Sequence, residues 1–129
     1  MRFILPAMLL IVGIIHLLPL SGVLSAHRLQ MLYGIAVEDP NLEILIRHRA
    51  VLFGLLGAFL IAAAFIPSLQ LAALAAGFVS VVSFLYLAAA VGSFNEQINR
   101  VVIADKVAVI CLVVGAVAYA MNRLNADQI

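Results

Sequence analysis

The chain has 129 residues, 67% of them hydrophobic and 10% charged, against about 45–50% and about 25% in soluble domains. The apolar residues come in uninterrupted blocks, as membrane spans do, so a water-soluble domain is excluded and the predicted fold class is all-α, an integral membrane four-helix bundle forming a single transmembrane domain over residues 1–129. With a net charge of +1 nothing argues for nucleic acid or a strongly acidic partner, and the single cysteine, Cys111, excludes an intrachain disulfide and acts as a small hydrophobe.

The first span is predicted over about residues 3–18, with Pro6 in its first turn, where proline is tolerated. Pro19 and Ser21-Gly22 end it. Arg2, the apolar run and Leu24-Ser25-Ala26 also outline a signal peptide, but the segment is read as a retained helix. Ser25 as N-cap and Gly34 as stop predict a short helix between spans one and two. With Leu29, Leu32 and Tyr33 on one side and His27, Arg28 and Gln30 on the other, it suits the membrane interface.

Asp39-Pro40 is a helix start, N-cap then proline at the first helical position. It opens span two, residues 40–66, which Pro67 stops. About 27 residues make roughly 40 Å of helix at 1.5 Å per residue, longer than the hydrocarbon core of about 30 Å. Arg47, His48 and Arg49 therefore fall at the headgroup level. Span three covers residues 69–91 and ends at Gly92-Ser93; span four covers residues 96–121, before the polar tail NRLNADQI. Spans two and three, joined by a few residues, form an antiparallel hairpin.

Arg47 and Arg49, two positions apart, point about 200° from one another around a helix. Below Arg47 lie Ala50, Gly54, Gly57 and Ala58, small residues of the kind that let membrane helices approach. Below Arg49 lie Leu52, Phe53, Leu56 and Leu60. The expectation is that Arg47 faces the bundle while Arg49 snorkels to lipid phosphates. Glu43 precedes Arg47 by four residues, and Glu96 precedes Arg100 by four, each the favourable order for an ion pair. Arg100 heads a second small stripe, Ala104, Ala108, Cys111, Gly115 and Ala118, so it too is expected inward. Span three carries a third, Ala73, Gly77, Ser80 and Ser83.

Four spans put the 1–2 and 3–4 connections on one side. That side holds Arg28, Arg47, Arg49, Arg100, Lys106, all three histidines and most carboxylates, while the other has Arg2 and Arg123. The positive-inside rule places the polar mouth in the cytoplasm and both termini outside, which in a bacterial inner membrane, as the resemblance below implies, is the periplasm.

Within it the candidate ligand-binding residues are Arg47, Glu43, Arg100, Glu96, His16, His48 and Asp105. An ionisable group within a span is a functional hypothesis by default. His16, near the end of span one, is equally explained by a hydrogen bond to a carbonyl or a serine, and Asp105 by pairing with an arginine. His16, His27 and His48 show no metal-ligand spacing, so no metal site is assigned. Arginine suits bidentate capture of phosphate or carboxylate, and an apolar bundle suits a tail, so the mouth fits an amphiphile with an anionic head. A ring of headgroup anchors accounts for the same residues. Nucleotide-binding, serine-hydrolase and zinc-protease motifs are absent from the sequence.

The basic entry into a glycine-spaced second span, RHRAVLFGLLGAFL, with the chain length and the long polar first connection, resembles the DoxX-like group of small four-helix bacterial membrane proteins. That resemblance implies a bacterial inner-membrane location and the four-helix fold, and no single activity. The chain also resembles bacterial proteins carrying a phosphopantetheine adenylyltransferase name. That soluble enzyme has an H-x-G-H element, and no two histidines here have its spacing, so none of its residues is carried over.

The leading expectation is a non-catalytic module that binds a lipid-like or quinone-like ligand, or a membrane partner, through the polar mouth. The alternatives are a membrane enzyme or redox accessory using His16, His48 and Asp105 on a quinone or lipid, and a small dimeric transporter. Expected partners are membrane lipid and a second copy or another membrane subunit; no cofactor is identified.

Overall fold

The computed structural model describes residues 2–127, and among them the chain is all-helical. Helix α1 (Ile4–Leu17) passes into a 3₁₀ segment, Leu18–Val23. Then come α2 (Ala26–Tyr33), α3 (Pro40–Phe65), a 3₁₀ turn at Pro67–Leu69, α4 (Gln70–Val91) and α5 (Glu96–Ala126). Four of these stretches, α1 with its 3₁₀ extension, α3, α4 with its 3₁₀ turn, and α5, are long and apolar enough to cross a membrane.

The boundaries follow local chemistry. Ser25 Oγ accepts the Arg28 amide at 3.2 Å to open α2, and Gly34, at φ 65°, closes it in a left-handed conformation that only glycine adopts cheaply. Asp39 accepts the Asn41 amide at 2.8 Å ahead of Pro40. Asn95 Oδ1 caps α5 at the Ile98 amide, 2.8 Å. Pro19 removes an amide and the chain tightens into 3₁₀ turns there. Helix α5 continues five residues past the expected end at Met121, through Ala126. Nothing in NRLNA breaks a helix, and Arg123 lies over the Tyr119 ring one turn earlier, 6.0 Å from its centroid. The last two residues of the predicted tail lie outside the described residues.

The four long helices form a bundle in the cyclic order α1, α3, α4, α5, with α1 also touching α4 across the middle while α3 and α5 do not meet. Its core is Leu5, Leu9, Val12, Leu60, Leu74, Val81 and Leu112 with alanines between them. The closest seam joins α1 to α3. A Cβ on Gly13 would stand 3.0 Å from the Gly57 carbonyl oxygen, and one on Gly57 2.8 Å from the Gly13 oxygen. Of the stripe expected inward on α3, Ala50, Gly54 and Gly57 are buried but Ala58 is exposed; Ile61 turns in instead, against Gly13. On α5, Ala108, Gly115 and Ala118 are buried as expected, and on α4, Ala73 and Gly77 are, with Leu112 filling the space beside Gly77. The outer surface is apolar on every long helix, with Ile14, Leu55, Val79 and Ile110 all exposed.

Gly57→Leu is expected to force α1 and α3 apart and lower the unfolding free energy by about 1–3 kcal/mol, while Ala58→Leu, at an exposed position, changes it by no more than about 0.5 kcal/mol. Thermal melts of both variants in one detergent decide this; equal midpoints would remove the seam as the packing constraint.

Candidate functional site

Because α3 and α5 do not meet, the end of the bundle carrying the α1–α3 and α4–α5 connections is left with a gap, and α2 folds over it. Asn95 ties this arrangement down: its Nδ2 donates to the Tyr33 carbonyl at 2.6 Å while its Oδ1 caps α5. Beneath α2 is a half-open cavity of about 260 Å³. Its wall is Ile15 and His16 of α1, Leu18 and Pro19 of the 3₁₀ segment, residues 31–33 of α2, Phe53 of α3, and Gln97, Arg100, Val101, Ala104 and Asp105 of α5.

His16 is 1% exposed. Its Nδ1 lies 2.9 Å from the Val12 carbonyl oxygen and its Nε2 3.2 Å from Ser80 Oγ. A carbonyl only accepts, so Nδ1 carries a proton, and a neutral ring then accepts from the serine hydroxyl at Nε2. Both bonds that the sequence offers as alternatives, to a carbonyl and to a serine, are made together. The ring stacks on Phe53, with centroids 5.6 Å apart.

Asp105 is the second buried polar residue, 6% exposed. Among the described residues its carboxylate accepts no hydrogen bond and joins no ion pair. The charge that acts on it is the Arg49 guanidinium, at longer range than an ion pair. An unpartnered carboxyl in apolar surroundings costs several kcal/mol, and it faces the cavity.

Arg49 corrects the expectation for α3. It is half-buried, not extended to lipid. Its Cζ lies 4.6 Å from the Phe53 ring centroid, 5.5 Å from that of Tyr33 and 5.8 Å from that of Phe84. One guanidinium thus joins α2, α3 and α4 through ring faces, and on its other side it borders a smaller hollow with Leu52, Leu56 and Ser80. Leu60, assigned to the same outward face, is fully buried. Arg47 also turns inward in part, but there it serves the fold. Its Nε donates to the Val23 carbonyl at 2.8 Å and its Nη1 to Glu43 at 2.9 Å. Those bonds satisfy an orphan carbonyl at the end of the 3₁₀ segment.

Of the seven candidate residues, the cavity brings together His16, Arg100 and Asp105. Arg47 and Glu43 form their pair apart from it. His48 is exposed. Arg100 and Glu96 approach to 3.5 Å with side chains 74% and 80% exposed, a pair that contributes little, so Arg100 stands at the rim and not inward as its stripe suggests. The depth of the cavity therefore holds a carboxylate, where an arginine grip on an anionic head was expected. His16 is buried while His27 and His48 are exposed; among the described residues no three His, Cys, Asp or Glu side chains converge. The residues missed are Tyr33, Phe53, Ser80, Gln97 and above all Arg49. The spacing of Arg49 and Phe53, one helical turn, was a usable signal for a cation–π pair.

Compared with known protein families, curated proteins and solved structures, the chain matches none.

Arg49→Leu is expected to cost about 1–2 kcal/mol of stability, whereas His48→Ala, its exposed neighbour, costs no more than about 0.5 kcal/mol; equal thermal midpoints would return Arg49 to a lipid-facing role. His16→Leu should cost about 1–3 kcal/mol by stranding the Ser80 hydroxyl, and Ser80→Ala added to it should recover part of that loss. A double-mutant cycle with no coupling between the two positions would sink the buried pair.

Proposed function

We propose that this protein is a non-catalytic integral membrane module of DoxX-like layout that holds the head of a lipid-like or quinone-like amphiphile in the cavity beneath α2. The observation that carries the reading is Asp105: a buried carboxylate with no hydrogen-bond or ion-pair partner among the described residues, in the wall of a mostly apolar, half-open cavity. Polar groups placed so in apolar surroundings are costly, and a ligand that bonds to them offsets the cost. Pockets for drug-sized ligands measure about 300–1,000 Å³, so about 260 Å³ suits a head group or ring while a tail runs out along the apolar exterior. Leu18 and Met31, 65% and 61% exposed, border the cavity and offer a tail an apolar path outward.

The same reading sets α2 at the membrane interface. Its Leu29 and Tyr33 are buried against the bundle, and His27, Arg28 and Gln30 are exposed, the division of a helix lying flat over a polar mouth. Helix α3, at 26 residues, is about 39 Å long, so its first turns reach past a hydrocarbon core of about 30 Å. By the positive-inside rule this mouth is on the cytoplasmic side, and the DoxX-like resemblance implies a bacterial inner membrane.

Native mass spectrometry of protein extracted in a mild detergent is expected to show one small-molecule adduct per chain. Ala104→Trp, which fills the cavity from α5, should lose the adduct while keeping wild-type helix content by circular dichroism. An adduct that survives Ala104→Trp binds elsewhere, and a clean apo mass for the wild type would favour a collar of headgroup anchors.

A further inference from the structure

Resting on the reading of the cavity as an amphiphile site, we infer that the head it takes is an uncharged hydroxyl, a phenol or alcohol on an apolar body, whose O–H donates to Asp105. Only two polar residues are buried among the described residues, His16 and Asp105. Both ring nitrogens of His16 are already bonded, to Val12 and Ser80. Tyr33 and Gln97, in the same wall, keep groups that donate as well as accept, so the open group that calls for one kind of partner is the Asp105 carboxylate, which only accepts. A carbonyl, ether or ester head, itself an acceptor, has nothing to gain from it.

Charge separates the remaining donors. An anionic head would place two negative groups in contact inside an apolar pocket, where like charges repel strongly. A cationic head would have one carboxylate to attract it and two guanidinium groups to repel it, Arg49, held by three aromatic rings at longer range than an ion pair, and Arg100 at the rim. A neutral hydroxyl supplies the missing donor and leaves that balance undisturbed. The Tyr33 and Phe53 rings and the Pro19 ring in the wall suit a flat apolar body behind the hydroxyl.

The test uses the full chain in lipid nanodiscs, with empty nanodiscs subtracted, and three probes of one shape: 4-hexylphenol, its methyl ether 4-hexylanisole, and 4-hexylbenzoate. Equilibrium binding is expected to favour the phenol over the ether by about tenfold to a hundredfold, the range for a hydrogen bond to a charged group, with the benzoate weaker than the phenol. Asp105→Asn should reduce the phenol-to-ether ratio by at least about threefold, since a neutral acceptor makes a weaker bond. If that variant does not fold, the wild-type ranking still decides. Phenol and ether binding equally, or benzoate binding tightest, would overturn the hydroxyl assignment and leave the amphiphile site standing. No probe bound above empty nanodiscs would overturn both.

Discussion

The glycine-to-glycine seam between α1 and α3 sets the positions of everything else. With Gly13 and Gly57 facing each other across a gap too narrow for a methyl group, α1 is drawn tightly onto α3 and toward the middle of the bundle. There it also reaches α5 and α4, while α3 and α5 stay apart. Membrane helices, which pack without a hydrophobic driving force between them, depend on such close van der Waals contact, and these four are long and apolar enough to be such helices. The space between α3 and α5 is the consequence, and the 3₁₀ segment and α2 are what the chain places over it. The cavity is thus a product of which diagonal of the bundle is short.

Polar groups inside that frame divide into those that hold it together and one that does not. Asn95 ties α2 to α5, Arg47 satisfies the carbonyl at the end of the 3₁₀ segment, and His16 links α1 to α4 through Ser80. Arg49 plays a similar part without a hydrogen bond, using ring faces on three helices. Each meets the rule that a buried polar group finds a partner. Asp105 alone of the two buried polar residues has none among the described residues; its oxygens are reached from the cavity, not sealed. Stability by itself would favour a leucine there.

Helix identity and most boundaries were legible in the sequence because they rest on short-range signals. Ser25 with Gly34, Asp39 with Pro40, and Asn95 each act within one turn, and their hydrogen bonds are present. The small-residue stripes were legible too, to within about one position: Ala58 turned out while Ile61 turned in. The direction of the arginines was not. A stripe tells where a Cβ points, and an arginine carries its charge several bonds beyond that, far enough to reach around the helix. Arg49 goes inward because Tyr33 and Phe84 offer ring faces there, and both sit on other helices, far along the chain. Arg100 stays out although its stripe is buried, because α3 does not reach α5 and no helix packs over it at that end. Which candidates met was a question of tertiary contacts, and the sequence alone left open whether His16 and Asp105 would share a wall.

Their meeting changes the chemistry expected of the polar mouth. Read as a row of charges, that end of the chain sets five arginine and lysine side chains beside five carboxylates, and its arginines make an anionic head group the expected partner. Read as a cavity, it is basic only at the rim: Arg100 is exposed, Arg47 is committed to Val23 and Glu43, and Arg49 is stacked on aromatics. What an entering molecule meets last is an acceptor. Arginines at a membrane surface are worth little as recognition where phosphates are everywhere, because every lipid satisfies them alike. A single buried carboxylate discriminates, since it favours a donor and penalises whatever lacks one. On the proposed reading, selectivity in such a site comes from a buried group that only accepts, while Arg49, over the Tyr33 ring, helps to keep α2 in place above it.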